Sequence, residues 1–176
     1  MKTVSTLTVN PRGAFLDGVQ IASGDLTALY RQYAGDYPKF FKMDMLSRLG
    51  FVAAEILLRD IPLEDKENAA VILFNRSGSL VTDRNYQLTL ADGNYFPSPA
   101  LFVYTLANIV TGEIAIRHKI FGETSFHILE KEDPAEMDAI VESAWTTSNP
   151  PFILTGWVEY ADPDNYEANF KIVTNN

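Results

Sequence analysis

The chain has 176 residues, of which 47% are hydrophobic and 21% are charged, and it contains no cysteine. This length predicts one domain of ordinary size that needs neither a disulfide nor a metal for stability. The lack of cysteine excludes thiolate nucleophiles, zinc–thiolate sites and iron–sulfur clusters, and two histidines are too few for a multi-histidine metal site. We therefore expect no metal and no cofactor.

The formal net charge is −9, from 14 lysines and arginines against 23 aspartates and glutamates. Nucleic-acid binders usually present a basic face, so this balance argues against nucleic acid as a partner. No stretch reaches the roughly 18 apolar residues of a membrane span, and the N-terminal residues lack the apolar core of a signal peptide. We expect a cytoplasmic protein without a membrane span.

The first third of the chain predicts two strands followed by two helices. Residues 3–9 and 14–21 are strand-like and are separated by the turn sequence of residues 10–13, so they can form a hairpin. Residues 25–33 predict a short helix. Residues 44–59 place apolar side chains at helical spacing on a wide face, which predicts a helix that is covered on more than one side.

The middle of the chain predicts a buried strand and a capped helix. Residues 69–74 form a continuous apolar run, typical of a central strand, and residues 75–79 form a loop at its carboxyl end. Such ends are where open α/β sheets usually bind ligands. Ser98, followed by proline, predicts the start of a helix over residues 99–110, with a break or a close packing contact at Gly112.

The last third predicts a strand, a well-marked helix and two further strands. Residues 124–129 are strand-like, and Asp133 then begins a helix with proline at its first position that ends at Asn149 before two prolines. Residues 152–160 and 168–174 are strand-like. The alternation of strands and helices predicts an α/β layered domain with a largely parallel sheet.

Four stretches, in order along the chain, carry a family resemblance. They are residues 43–55, residues 70–79, residues 98–108 with the following Gly-Glu-Ile-Ala of residues 112–115, and residues 122–159. Together they resemble the N-terminal half of a β-ketoacyl synthase, a member of the thiolase-like superfamily. The resemblance implies one thiolase-like domain over residues 1–176, with a mixed, mostly parallel sheet and helices on both faces.

The same resemblance locates the turn at which such synthases carry their nucleophilic cysteine. Residues 122–158, laid on the family pattern without gaps, place Lys131 at this turn, between Glu130 and Glu132, and Asp133 caps the helix that follows. The sequence departs from the family here, because it has no cysteine and because the C-terminal half that supplies two catalytic histidines is not matched. We therefore expect this chain to be a ketosynthase-like half that has no condensing activity.

A lone half of a two-half fold exposes surfaces that the complete fold buries. The resemblance therefore implies a homodimer or a heteromer with a catalytic ketosynthase, and local repacking into a monomer is the alternative. We expect Phe96, Phe102, Tyr104 and Trp157 among the exposed side chains.

Other candidate site residues each have a plainer interpretation. Ser77, Gly78 and Ser79 would cradle a phosphate with backbone N–H groups, but they lack the remainder of a P-loop and also fit a plain turn. His127 fits a hydrogen-bonded structural residue better than a base, and Asn108 matches an asparagine of the family's helix, which implies a ligand contact.

Acidic side chains cluster just before the predicted helix that begins near residue 133. Glu130, Glu132 and Asp133 would suit a divalent cation, but favourable electrostatics at a helix start account for them better.

A basic-leaning segment between Arg31 and Arg48 also contains Lys39 and Lys42. It fits either an ordinary solvated surface or a docking patch for an acidic partner such as an acyl carrier protein.

Two functions therefore stand as expectations. The first is a non-catalytic, ketosynthase-like partner or chain-length-type subunit in fatty acid, polyketide or pigment biosynthesis. The alternative is a residual acyl-thioester enzyme, a hydrolase or decarboxylase that uses Glu130, Glu132 or His127.

Overall fold

The computed structural model describes residues 1–90, 93 and 96–175, without the side chains of residues 63 and 64. Over these residues the strands are β1 (Lys2–Asn10), β2 (Gly13–Leu16), β3 (Val19–Ala22), β4 (Ala70–Asn75), β5 (Thr124–Ile128), β6 (Ile153–Asp162) and β7 (Asn165–Thr174). The helices are α1 (Leu26–Tyr33), α2 (Met45–Leu58), α3 (Leu63–Lys66), α4 (Leu80–Gln87), α5 (Pro99–Val103), α6 (Ile109–His118) and α7 (Pro134–Thr147), with a 3-10 helix at Pro38–Lys42.

The strands form one mixed sheet in the order β3-β2-β1-β7-β6-β4-β5. Strand β4 is parallel to both of its neighbours, β5 and β6, and the other four pairings are antiparallel. The mixed α/β architecture is confirmed, but the expectation of a mostly parallel sheet is wrong. Short turns join β1 to β2, β2 to β3 and β6 to β7, and a short turn can connect only antiparallel neighbours.

The predicted strand over residues 14–21 is two strands. Asp17 and Gly18 have φ values of 48° and 81° and form a tight turn between β2 and β3. The Asp17 carboxylate accepts a 2.7 Å hydrogen bond from the Thr6 amide, which lowers the pKa of Asp17 and fixes the turn to β1. The predicted hairpin of β1 and β2 is confirmed.

Helices cover both faces of the sheet, as expected, but the two faces are unequal. The larger core joins one face to α1, α2 and α6. In α2, whose start Asp44 caps by accepting from the Ser47 amide at 3.0 Å, twelve of the fourteen residues are buried. The smaller core packs α7 on β4 and β6 through residues such as Val141 and Trp145.

Helices α2 and α6 approach closely and share a buried ion network. A Cβ atom on Gly50 would lie 2.3 Å from Val110 Cγ2, so only glycine fits this crossing. Glu55, whose side chain is 7% exposed, accepts from Arg117 Nε at 2.8 Å and lies 3.0 Å from His118 Nε2, and Arg117 also contacts Asp36 at 2.7 Å.

The predicted helix over residues 99–110 is interrupted, and the predicted break at Gly112 is wrong. Helix α5 ends at Val103, and α6 begins at Ile109 and runs through Gly112. In a continuous α-helix the Ile109 amide would donate to the Thr105 carbonyl. Here the Thr105 carbonyl accepts a 2.5 Å hydrogen bond from the Ser79 hydroxyl, and the Ile109 amide donates to the Leu106 carbonyl instead.

Two side chains that we expected at the surface are buried. Tyr104 packs into the larger core and donates to Glu113 Oε1 at 3.0 Å, and Trp157 packs into the smaller core. Phe96 and Phe102 are exposed, as predicted. Helices α3 and α4 were not predicted.

No helix in the described part of the chain is long and apolar enough to cross a membrane.

Candidate functional site

A cavity of about 510 Å³ lies at the carboxyl ends of the parallel strands. Because Asn75 of β4 pairs with Ile128 of β5, the segments that follow these strands leave the sheet at the same edge. The cavity has the size of ordinary ligand pockets and lies where open α/β sheets bind ligands. Its lining comes from four segments: Arg76 and Ser77; Leu80, Val81 and Arg84; Glu130, Lys131 and Glu132; and Trp157, Glu159, Tyr160, Ala161 and Asn165.

The turn before α7 contributes the predicted Glu130, Lys131 and Glu132 to this cavity. The Lys131 side chain is 77% exposed, and its Nζ lies 3.6 Å from Asp133 Oδ2. Asp133 accepts from the amides of Ala135 and Glu136 at 3.1 and 3.3 Å, so the predicted helix cap is confirmed. The carboxylate therefore already occupies amides of the first turn of α7.

Two carboxyl groups of the cavity are in different electrostatic situations. Burial raises the pKa of Glu132, and the negative charge of Glu167 raises it further. Glu159 is held in place, because one of its oxygens accepts from the Arg76 amide at 2.9 Å and the other accepts from the Ser77 hydroxyl.

The loop of Ser77, Gly78 and Ser79 reaches the cavity only through Ser77. The Gly78 amide donates to the side chain of buried Asn75 at 2.9 Å, and the Asn75 amide group donates back to the Gly78 carbonyl at 2.9 Å. These bonds belong to a tight turn, and the phosphate-binding role of this loop stays a prediction. Ser79 is buried, with its hydroxyl 2.5 Å from the Thr105 carbonyl.

The remaining candidate residues lie outside this cavity. His127 of β5 hydrogen-bonds through Nε2 to Ser125 Oγ at 3.1 Å and stacks on Phe74, with 5.3 Å between ring centroids. Asn108 is exposed at the start of α6, where its carbonyl accepts from the Thr111 hydroxyl at 2.8 Å. Their functional roles stay predictions. Within the described residues, no group of three or more acidic, histidine or cysteine side chains is arranged to hold a metal ion.

Sequence reasoning did not predict nine of the thirteen residues that line the cavity. Arg76 lies within the predicted loop of residues 75–79 but was not named as a site residue, although it directly follows a buried strand. Arg84 lies in α4, a helix that was not predicted. Three further lining residues belong to β6, which runs parallel to β4 and places Trp157 opposite Phe74. They are Trp157, Glu159 and Tyr160. No local sequence signal specifies that pairing, because the two strands are far apart in the chain.

The basic-leaning segment is partly used within the fold. Lys39 forms a 2.8 Å ion pair with Glu113, and Arg48 donates to the carbonyls of Phe41 and Met43 at 2.7 and 3.0 Å. Arg31 and Lys42 are exposed.

Known structures resemble this chain closely in fold and distantly in sequence. A chain from the complex of the ketosynthase ApeO with its chain length factor ApeC, from Xenorhabdus doucetiae, matches 99% of this chain with a TM-score of 0.70 and 14% identity, over 79% of its own length. The ishigamide ketosynthase/chain length factor matches 98% of this chain, with a TM-score of 0.72 and 14% identity. The complex of AntDE with the acyl carrier protein AntF, a type II polyketide synthase assembly, matches 97%, with a TM-score of 0.64 and 13% identity.

The chain spans only 61% and 60% of the lengths of the last two matched chains. No family model matches it, and neither does any curated protein. The likeness establishes the fold: the chain has the thiolase-like fold of ketosynthases and chain length factors. The family resemblance found in the sequence is therefore confirmed for the fold.

Proposed function

We propose that the chain is a non-catalytic, ketosynthase-fold subunit that acts by pairing with a catalytic ketosynthase in cytoplasmic fatty acid, polyketide or pigment biosynthesis. The turn between β5 and α7 carries the proposal. A thiolate nucleophile at a helix start needs a cysteine, and an oxyanion there needs free amides. The family resemblance aligns Lys131 with that cysteine, and Asp133 accepts hydrogen bonds from the amides of Ala135 and Glu136.

A large exposed apolar surface supports the pairing. Seven of the thirteen exposed large apolar side chains of the described residues lie on α4, α5 and their flanks, and Leu88 and Phe96 are 82% and 89% exposed. In the sequence, Asp92 is the only charged residue between Arg84 and Glu113. Such surfaces mark binding sites. We define the α4–α5 surface as Leu80, Leu88, Leu90, Phe96, Phe102, Val103 and Leu106.

One open edge of the sheet, at β5, adjoins this surface. Among the described strands, β5 pairs with β4 alone, so its other edge presents unpaired backbone groups. Ile128 of β5 is 62% exposed, and its Cδ1 atom lies 3.3 Å from where a Gly78 Cβ would be. Gly78 and Ser79 connect it to the Thr105 carbonyl beside the α4–α5 surface. A partner that covers the surface can therefore reach the strand edge as well.

Light scattering after size-exclusion chromatography tests the pairing. The chain is run at micromolar concentration alone and then mixed with a catalytic ketosynthase encoded beside it. We expect a species whose mass is the sum of the two. A 19.7 kDa species alone and in every mixture would contradict the proposal.

The alternative, a residual acyl-thioester enzyme, has one observation in its favour, because Glu130, Glu132 and Ser77 line one cavity. Incubation with acyl- and malonyl-thioesters separates the two functions. The non-catalytic subunit gives no turnover above background. An enzyme gives turnover that Glu132→Ala or His127→Ala abolishes.

Contact with an acyl carrier protein is a finer part of the proposal. Such carriers are acidic and this chain is acidic, so broad contact is electrostatically unfavourable. Of the four predicted contact residues, Arg31 and Lys42 are free of the internal contacts that Lys39 and Arg48 make. If carrier contact occurs there, the double change Arg31→Glu and Lys42→Glu weakens carrier binding measured by calorimetry.

A further inference from the structure

Three cationic side chains from separate segments surround the cavity at the carboxyl ends of β4 and β5. Arg76 follows β4, Arg84 lies in α4 and Lys131 follows β5. Among the described residues, no ion pair includes the guanidinium of Arg76 or Arg84, and the closest carboxylate partner of Lys131 is at 3.6 Å. In a chain with 14 cationic and 23 anionic residues, three weakly paired cations at one cavity are unexpected.

None of the three glutamates that line the cavity in the described part of the chain forms an ion pair with Arg76 or Arg84. Glu159 accepts from the Arg76 backbone amide and from the Ser77 hydroxyl, so both of its oxygens are already engaged. Burial and the charge of Glu167 raise the pKa of Glu132. Glu130 is exposed to water.

Apolar side chains form the other part of the wall. Leu80 and Val81 of α4 face the cavity together with Trp157 and Tyr160 of β6. Trp157 packs into the smaller core and Tyr160 into the larger core, so the two rings lie on opposite faces of the sheet, and each residue is 7% exposed. A pocket with apolar walls and a few charged groups fits a ligand with an apolar body and one charged end.

We infer that this cavity binds an organic anion, with a carboxylate or phosphoryl group held by Arg76 and Arg84 and an apolar body against the side chains of Leu80, Val81 and Trp157. Guanidinium groups suit this task because their planar N–H groups pair with two oxygens of a carboxylate or phosphate at once. Lys131 adds a positive charge at the rim. The inference goes beyond the proposed pairing function and does not depend on it, because the cavity lies within one chain.

Isothermal titration calorimetry at neutral pH tests the site with four probes. Naphthoate and naphthyl phosphate carry both the anion and the apolar body, naphthol lacks the anion, and inorganic phosphate lacks the body. The protein is compared with the double variant Arg76→Gln, Arg84→Gln and with the control Arg59→Gln, which changes an exposed arginine elsewhere. Equal melting temperatures of the three proteins verify that the variants are folded.

We expect saturable binding of at least one naphthyl anion, with naphthol and inorganic phosphate at least about tenfold weaker. The double variant loses about tenfold or more in affinity, and Arg59→Gln binds as the unchanged protein does. The preferred anion identifies the head group as carboxylate or phosphoryl. Three results would each overturn the inference: no saturable binding of either anion up to about 5 mM, naphthol binding as tightly as the anions, or full affinity in the double variant.

Discussion

The α2–α6 interface and the α4–α5 surface have opposite character. At the α2–α6 interface even charged groups are buried, and Glu55 is matched by Arg117 and His118. On the α4–α5 surface large apolar side chains face water, and residues 80–106 contain only three charged residues, Asp83, Arg84 and Asp92. The first region is complete within one chain, and the second has the composition of an interface without its partner. Stability should therefore depend on the first region and association on the second.

The largest loss of stability is expected from Glu55→Gln. The change removes the charge that Arg117 and His118 surround, and breaking one partner of a buried ion pair costs about 3 kcal/mol in the free energy of unfolding. Urea denaturation measures this cost. The control Glu142→Gln changes an exposed glutamate of α7 and should stay within about 0.5 kcal/mol. Equal stability of the two variants would show that the network does not stabilise the fold.

The same network has a defined pH dependence. Burial raises the pKa of Glu55, but the hydrogen bonds and charges of His118 and Arg117 outweigh burial, and the net pKa lies below its ordinary value of 4.5. Since the folded-state pKa is lowered, the ionised network stabilises the protein above pH 4.5, and this contribution is lost as the pH falls through the folded-state value. The stability difference between the unchanged protein and Glu55→Gln should shrink below pH 4.5. A difference that is constant with pH would contradict this account.

Two glycine substitutions give the next largest, and opposite, effects. Gly50→Ala places a methyl group 2.3 Å from Val110 Cγ2, and overpacking of this kind costs about 1–3 kcal/mol. In Gly112→Ala the new methyl group on α6 would have no neighbouring atom within 4 Å, apart from the backbone of its own helix. This change should be neutral or should stabilise the protein by up to about 1 kcal/mol. Thermal unfolding of both variants measures the contrast. A destabilised Gly112→Ala would mean that α6 needs glycine for another reason.

The smallest change in stability is expected on the α4–α5 surface. The double variant Leu88→Ser, Leu106→Ser removes two exposed apolar side chains and should change the free energy of unfolding by no more than about 1 kcal/mol. The same variant should weaken association with the catalytic partner at least about tenfold. The control Val19→Ser alters an exposed apolar residue on β3, outside the surface, and should associate normally. Normal association of the double variant would show that this surface does not take part in pairing.

Elements with strong local signals were predictable from the sequence. The cap at Asp133, the apolar run of β4 and the covered helix α2 all follow from patterns within a few residues. The interrupted helix before α6 was not predictable, because its cause is a hydrogen bond from Ser79 to Thr105, 26 positions away.

The candidate site also has a part that was predictable from the sequence and a part that was not. Ser77 and the turn around Lys131 follow predicted strands, so their meeting at one edge of the sheet was foreseeable. Trp157 was expected at the surface and is buried, because β6 pairs with β4 and α7 covers that face. Strand pairing depends on long-range packing that a single sequence does not reveal.

Hydrogen–deuterium exchange with and without the catalytic ketosynthase tests the pairing proposal most directly. We expect the partner to slow exchange in β5 and in the segments that carry the α4–α5 surface, because their exposed backbone and side chains become covered. Exchange in α2, which is already buried, should be unchanged. Unchanged exchange in both β5 and the α4–α5 surface, in a mixture with excess ketosynthase, would contradict the central claim.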